Sequence, residues 1–185
     1  MMAATAQHVQ ANRETINWLG LNLFIASESM LFLALAASRF YLLGVAPIPG
    51  ANEFLGALLT ILLLGSSFLG YRSSQAIARG DRAGFTRNLL LTILLGALFI
   101  LGVAYEWSTA EITLRQITGT VFFTLTGLHV LHLLSGLVAL VLIYRLGTKG
   151  HFSAEAHWGV TGAIRYWTFV DLMWIIIVYP LLYLI

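Results

Sequence analysis

An all-α fold, an integral membrane bundle of five transmembrane helices, is what this sequence predicts, and three features lead there. Of the 185 residues, 59% are hydrophobic and only 10% charged, where soluble domains are nearer half apolar and a quarter charged. Polar residues gather in short clusters between apolar runs at about 18–43, 54–78, 89–105, 117–144 and 162–185, lengths near the roughly 20 residues that a helical bilayer crossing takes. Runs this long are not barrel strands, and hydrocarbon admits only helices and closed barrels, whose backbone hydrogen bonds are all internal. Residues 1–185 therefore read as a single five-helix membrane domain.

The first 17 residues are polar and lead directly into the first span. They lack a short apolar core followed by a cleavage site, so no signal peptide is expected. APIPGANE, from Ala46 to Glu53, is a Pro/Gly turn that stops the first helix and starts the second. ARGDRAGFTR, from Ala78 to Arg87, reads as a basic hairpin. The third run is short and gains length if Thr86–Asn88 and Glu106–Trp107 form its ends. The fourth contains GTVFFTLTGLHVLHLLSG, from Gly119 to Gly136, where small residues suit close helix packing and His129 and His132 sit three apart. Intramembrane ionisable groups are expensive unless they face protein, so this span is expected at the centre of the bundle. The longest connection, about Arg145–Thr161, carries Lys149, His151, Glu155 and His157.

Basic residues orient the bundle. With the N-terminus cytoplasmic, the inner segments hold Arg13, Arg72, Arg79, Arg82, Arg87, Arg145, Lys149 and Arg165, and the outer segments hold Arg39 and Arg115. That bias follows the positive-inside rule and leaves the C-terminus on the outer side. Trp18, Tyr41, Tyr71, Tyr105, Trp107, Tyr144, Trp158 and Tyr183 lie at span ends, as interfacial anchors do. Arg72 and Arg145, at helix ends, are either part of the topology signal or grips for phospholipid head groups.

Several function classes drop out. A net charge of +2 argues against nucleic acid as a partner, and the absence of cysteine excludes disulfides, thiolate metal sites and cysteine nucleophiles. The glycines form no phosphate-cradling pattern, and no inverted repeat of the transporter kind is visible.

Chemistry is concentrated in a few side chains inside the spans. At about 1.5 Å per residue, Glu28 in the first span, His129 and His132 in the fourth and Asp171 in the fifth fall at similar depths, and together could make one polar layer across three helices. A charged residue at a helix centre costs about 2.5–3.5 kcal/mol on insertion scales, so these groups are expected to be paired. Two readings stay open: hydrogen bonds that fix helix packing, or a proton relay in which a buried Glu28 exchanges protons. Haem or metal ligation fits poorly. The HVLH spacing cannot offer two axial ligands from opposite faces, and no Glu-x-x-His pair suits a di-iron bundle. Tyr166, Trp167, Phe169 and Trp174 read as packing or anchoring residues.

These residues also resemble a known family. FIASESMLF (Phe24–Phe32), Tyr105-Glu106-Trp107, FFTLTGLHVLHLLSG (Phe122–Gly136) and RYWTFVDLMW (Arg165–Trp174) are similar, in order and in register, to motifs of subunit III of haem–copper terminal oxidases, the cytochrome c oxidase type, in its five-helix form. Longer members carry two further N-terminal helices. Thr168 stands where the closing motif usually has histidine, Tyr71-Arg72-Ser73 where the second helix often has histidines, and Thr161 where an acidic residue is common.

The resemblance implies a subunit without catalytic residues, haem, copper or other metal of its own, within a complex that reduces oxygen to water while translocating protons. It would pack against catalytic subunit I and subunit II, which hold haem and copper, bind structural phospholipid and support proton uptake. Glu28, His129, His132 and Asp171 carry over as the buried polar set, and Arg145 as a lipid contact. Cytochrome c is the implied donor to the complex. The alternatives are quinol, a nitric oxide reductase with a related accessory subunit or, from a different class, a stand-alone transporter or proton channel. Abundant Ala, Gly, Leu and Arg beside a single lysine suggest a bacterial cell (inner) membrane as the location.

Overall fold

The computed structural model describes residues 2–45 and 48–185, with side chains from residue 14 onward. Arg13, and Ala46 and Pro47 of the first turn, lie outside those described side chains. The described residues are helical apart from short turns: α1 (Met2–Leu43), α2 (Glu53–Ala78), α3 (Arg82–Thr109), α4 (Ile117–Thr148) and α5 (Trp158–Met173). The last continues as two π-helical segments, Trp174–Val178 and Pro180–Leu184. Five helices are long and apolar enough to cross a membrane.

Local chemistry sets the helix ends. The Asn52 side chain accepts from Leu55 N–H at 3.0 Å and caps α2. Gly80, at a φ of 77°, turns the chain after α2, and Asp81 caps α3 by accepting from Gly84 N–H at 2.8 Å. The turn is therefore confined to Arg79–Asp81, and the expected hairpin from Ala78 to Arg87 is mostly the first turns of α3. Arg82 and Arg87 are helical because a capped helix start tolerates polar residues on its outer face. The third span, expected at 89–105, accordingly begins seven residues earlier in sequence, at Arg82, and runs on to Thr109.

α2 and α3 form a tight antiparallel hairpin, α4 packs on α3, and α5 closes the bundle against α2 and α4. α1 rests on α4 and α5. The fourth span was expected at the centre, but α5 lies deepest: 56% of its most apolar stretch is buried, against 28% in α4 and 6% in α1. The reason is volume. Trp167 and Trp174 are fully buried, Trp167 against glycines of α3 and α4 and Trp174 among Phe99, His129 and Tyr183. A Cβ on Gly96 of α3 would lie 2.5 Å from the Trp167 ring, and one on Gly136 of α4 would lie 2.9 Å from it. Both glycines are thus required by the indole that separates their helices.

Polar side chains stitch α5 to α2. Trp167 Nε1 donates to Ser66 Oγ at 2.7 Å, Trp174 Nε1 to Thr60 Oγ1 at 2.9 Å, and Ser67 Oγ to Asp171 Oδ2 at 2.5 Å. Such bonds are valuable where no water competes, although measured values inside membranes are modest. Two aromatics expected at the membrane interface serve packing instead. Tyr183 is 9% exposed, and Trp107 donates to Thr126 Oγ1 at 3.1 Å. Tyr41, Tyr71 and Tyr105 remain exposed at span ends.

Candidate functional site

The two histidines of α4 share a stretch of helix but not an environment. Three residues at 100° each leave them about 60° apart around the axis. His129 consequently points into the core and is fully buried, whereas His132 turns toward α1 and keeps 11% of its side chain exposed.

His132 meets Glu28. Its Nδ1 lies 2.8 Å from the Leu128 carbonyl oxygen one turn back, and its Nε2 lies 2.8 Å from Glu28 Oε2. A carbonyl only accepts, so Nδ1 carries a hydrogen. The Nε2–Oε2 contact then holds one further proton, on Glu28 as a carboxylic acid or on His132 as imidazolium. Either way the pair is neutral overall, which suits its depth. Glu28 is 23% exposed and, with His132, lines an open groove bounded by Phe24, Leu131, Ser135 and Tyr166. The Ser135 and Tyr166 hydroxyls lie 2.8 Å apart across it. Phe32, fully buried, packs behind the pair with its ring centroid 5.0 Å from that of His132.

His129 takes no part in this pair. Its Nε2 donates to the Val170 carbonyl at 3.1 Å, which makes Nδ1 the acceptor nitrogen of the neutral ring. Nδ1 has no hydrogen-bond partner, and the ring is boxed by Phe32, Phe99 and Trp174 at centroid distances of 6.4, 5.6 and 5.1 Å. Asp171, 2% exposed, holds Ser67 with one oxygen and leaves Oδ1 unpartnered. No hydrogen bond joins Asp171 to either histidine among the described residues. The expected polar layer is in fact two separate arrangements, Glu28–His132 and Asp171–Ser67, with His129 tied to the backbone between them.

Arg72 and Arg145 are exposed at the end of the bundle that also carries Arg79 and Arg82. The Arg72 guanidinium sits 5.8 Å over the Phe68 ring. Arg145 occupies the last turn of α4, where a cation complements the helix dipole.

Two buried ionisable groups escaped the sequence reading. Arg39, counted there with the loop charges, is fully buried; its Nε donates to the Leu181 carbonyl at 2.9 Å and its two other nitrogens to Gly44 and Ile185 oxygens. Glu106, read as a helix-end residue, is 2% exposed, accepts from Tyr183 Oη–H at 2.7 Å and receives the Asn52 N–H at 3.3 Å. Its place in an acidic-aromatic motif was the available signal. Little local marked Arg39, because its Leu181 and Ile185 partners lie some 140 residues along the chain.

Comparison with known proteins gives this arrangement its context. A family model described as cytochrome c oxidase subunit III matches residues 2–185. The chain belongs to the cytochrome c oxidase subunit III family. It is 35% identical over 174 residues to a cytochrome c oxidase subunit 3 of Thermostichus vulcanus, covering 90% of this chain and 86% of that one. A Synechocystis sp. relative of the same name is 31% identical over 186 residues, covering 96% and 79%. One from Loxodonta africana is 31% identical over 182 residues, covering 91% of this chain and 69% of its own length.

As a subunit III, the chain is a multi-pass component of a haem–copper oxidase, an oxidoreductase complex with other subunits. His132 has both ring nitrogens engaged, and among the described residues no group of three His, Asp or Glu side chains is arranged to share an ion.

Proposed function

We propose that this chain is the non-redox subunit III of an aerobic cytochrome c oxidase in a bacterial cell membrane, oriented with its N-terminus inside. In this reading it stabilises subunits I and II, binds phospholipid through Arg72 and Arg145, and supports proton uptake through Glu28 and His132. His129 and Asp171 hold α4, α5 and α2 in register behind that pair. Haem and copper reside in the partner subunits, which supply the electron transfer and the reduction of oxygen to water. Orientation is supported by the basic end of the bundle and by Arg39, whose charge is engaged by backbone oxygens and so does not weigh against it.

The observation that carries the proton role is the 2.8 Å contact between Glu28 and His132, open on one side to a groove. The pair holds one shared proton without net charge in a low-dielectric surrounding, and it can give that proton up to the groove side and take it back. Glu28→Gln tests this. Gln can still donate to His132 Nε2, so the hydrogen bond survives while the exchangeable proton is lost. The expected result is an unchanged haem spectrum with slower proton uptake or a shorter turnover lifetime in the complex. Proton uptake and lifetime equal to the parent enzyme would remove the proton role, and a missing haem band would remove the non-redox one. Cytochrome c is favoured as donor over quinol because the relatives above all carry the cytochrome c oxidase name.

A further inference from the structure

The groove beside Glu28 holds two hydroxyls that the Glu28–His132 pair does not use. Its volume is about 280 Å³, and α1, α4 and α5 all contribute to its walls. Phe24 and Glu28 reach it from one face of α1, His132 and Ser135 from one face of α4, and Tyr166 from α5. The hydrogens can be assigned. Ser135 Oγ lies 2.7 Å from the His132 carbonyl oxygen, which only accepts, so the serine hydrogen is committed there. Tyr166 then donates to Ser135 Oγ at 2.8 Å, in preference to the same carbonyl at 3.4 Å, and its own oxygen keeps acceptor capacity. The Tyr166 ring packs against Phe24 and Phe169 at centroid distances of 5.7 and 6.2 Å, which fixes where that hydroxyl points.

On the α1 side, Glu28 Oε2 is held by His132, and Oε1 makes no hydrogen bond among the described residues. A hydrocarbon chain lying here would leave Oε1 and the Tyr166 acceptor site unpaired, whereas water finds polar partners from three helices. At about 30 Å³ per molecule the groove has room for several waters, each wanting roughly two to four such partners. Position gives the hydroxyls a direction as well. Ser135 stands three residues, roughly 4.5 Å, closer than His132 to the end of α4 that carries Arg145. The hydroxyl pair therefore lies between Glu28–His132 and the basic end of the bundle.

We propose that Ser135 and Tyr166 are positioning residues that hold the water through which Glu28 exchanges its proton. The inference rests on the proton role proposed above for Glu28 and His132. The carboxyl gives its proton to this water and recovers one from it, and no electron moves. Tyr166 and Ser135 keep their own hydrogens and serve only to orient the water.

Proton uptake by the intact oxidase complex, followed with a pH-sensitive dye during turnover, tests this in single variants and in the double variant Glu28→Gln with Tyr166→Phe. Tyr166→Phe keeps the packed ring and removes the hydroxyl. It should slow uptake about three- to tenfold, the weight of one neutral hydrogen bond, with the haem spectrum unchanged. Ser135→Ala should act in the same direction, and it reads the hydroxyl pair independently if Tyr166→Phe assembles poorly. Ser135→Thr, which restores a hydroxyl, should recover most of the lost rate. Because both residues act through Glu28, the double variant should be no slower than Glu28→Gln alone. Parent-like uptake in Tyr166→Phe or Ser135→Ala, beside slow uptake in Glu28→Gln, would overturn the inference and leave the Glu28 reading standing. Additive slowing in the double variant would also overturn it, since the hydroxyls would then act apart from Glu28. Parent-like uptake in Glu28→Gln would remove both.

Discussion

His132 satisfies its Nδ1 within α4 through the Leu128 carbonyl, and its Nε2 meets Glu28 of α1. Their 2.8 Å contact is a polar tie between α1 and α4. Replacing Glu28 with Leu leaves the His132 nitrogen unpaired and should destabilise the subunit by about 1–3 kcal/mol, the usual penalty for an orphaned buried polar group. Glu28→Gln should be nearly silent by the same measure, retention of the subunit during heating in detergent. A similar contrast applies to Trp167. Ser66→Ala removes the acceptor of a fully buried indole N–H and should weaken the α2–α5 contact by about 1–3 kcal/mol. At this scale the sequence marked Glu28, His129, His132 and Asp171 as ionisable groups inside the spans, because a carboxylate or imidazole in an apolar run is conspicuous. It did not reveal the pairing. Rise per residue gives depth, and Glu28 matched His129 in depth, but azimuth decided for His132. Arg39 was opaque for another reason: a long side chain near a span end reads as a loop charge until the end of another helix is known to lie beside it.

Among the elements, α5 shows how composition and geometry interlock. Its first half is a regular helix whose Trp167 demands glycine on α3 and α4. Its second half is wound as π-helix around Pro180, a residue that lacks the N–H an α-helix would use. Arg39 binds the Leu181 and Ile185 oxygens there, at the end of the wide turns. Arg39→Met should therefore loosen Pro180–Ile185 in particular. Hydrogen exchange should rise in that segment and stay unchanged in α2 and α3. Gly96→Val would drive a branched side chain into Trp167; overpacking of this kind typically costs about 1–3 kcal/mol, visible as poorer assembly with the partner subunits. The number and type of the helices were legible from hydropathy alone. Their ends were less so, because α3 begins with a polar capped turn that an apolar count omits. The burial order was not legible either, since the histidines drew attention to α4 while large tryptophans made α5 the centre.

As a whole the molecule is lopsided. Four helices enclose a core, and α1 lies against them with only 6% of its most apolar stretch buried. Ile16, Leu19, Leu23, Met30 and Leu33 all face outward from it. Such a helix is held by few contacts beyond the Glu28–His132 and Arg39 attachments, and lipid or neighbouring subunits must cover the rest. In detergent, apart from the other subunits, α1 should exchange amide hydrogen faster than α5. A uniform rate across all five helices would contradict this ranking.

The division of labour in the complex is open to a direct measurement: iron and copper content, with the optical spectrum, of the oxidase before and after this chain is stripped away. The account predicts that the remaining subunits keep their full complement of haem and copper and lose endurance under turnover. Loss of haem or copper in proportion to the chain removed would contradict it.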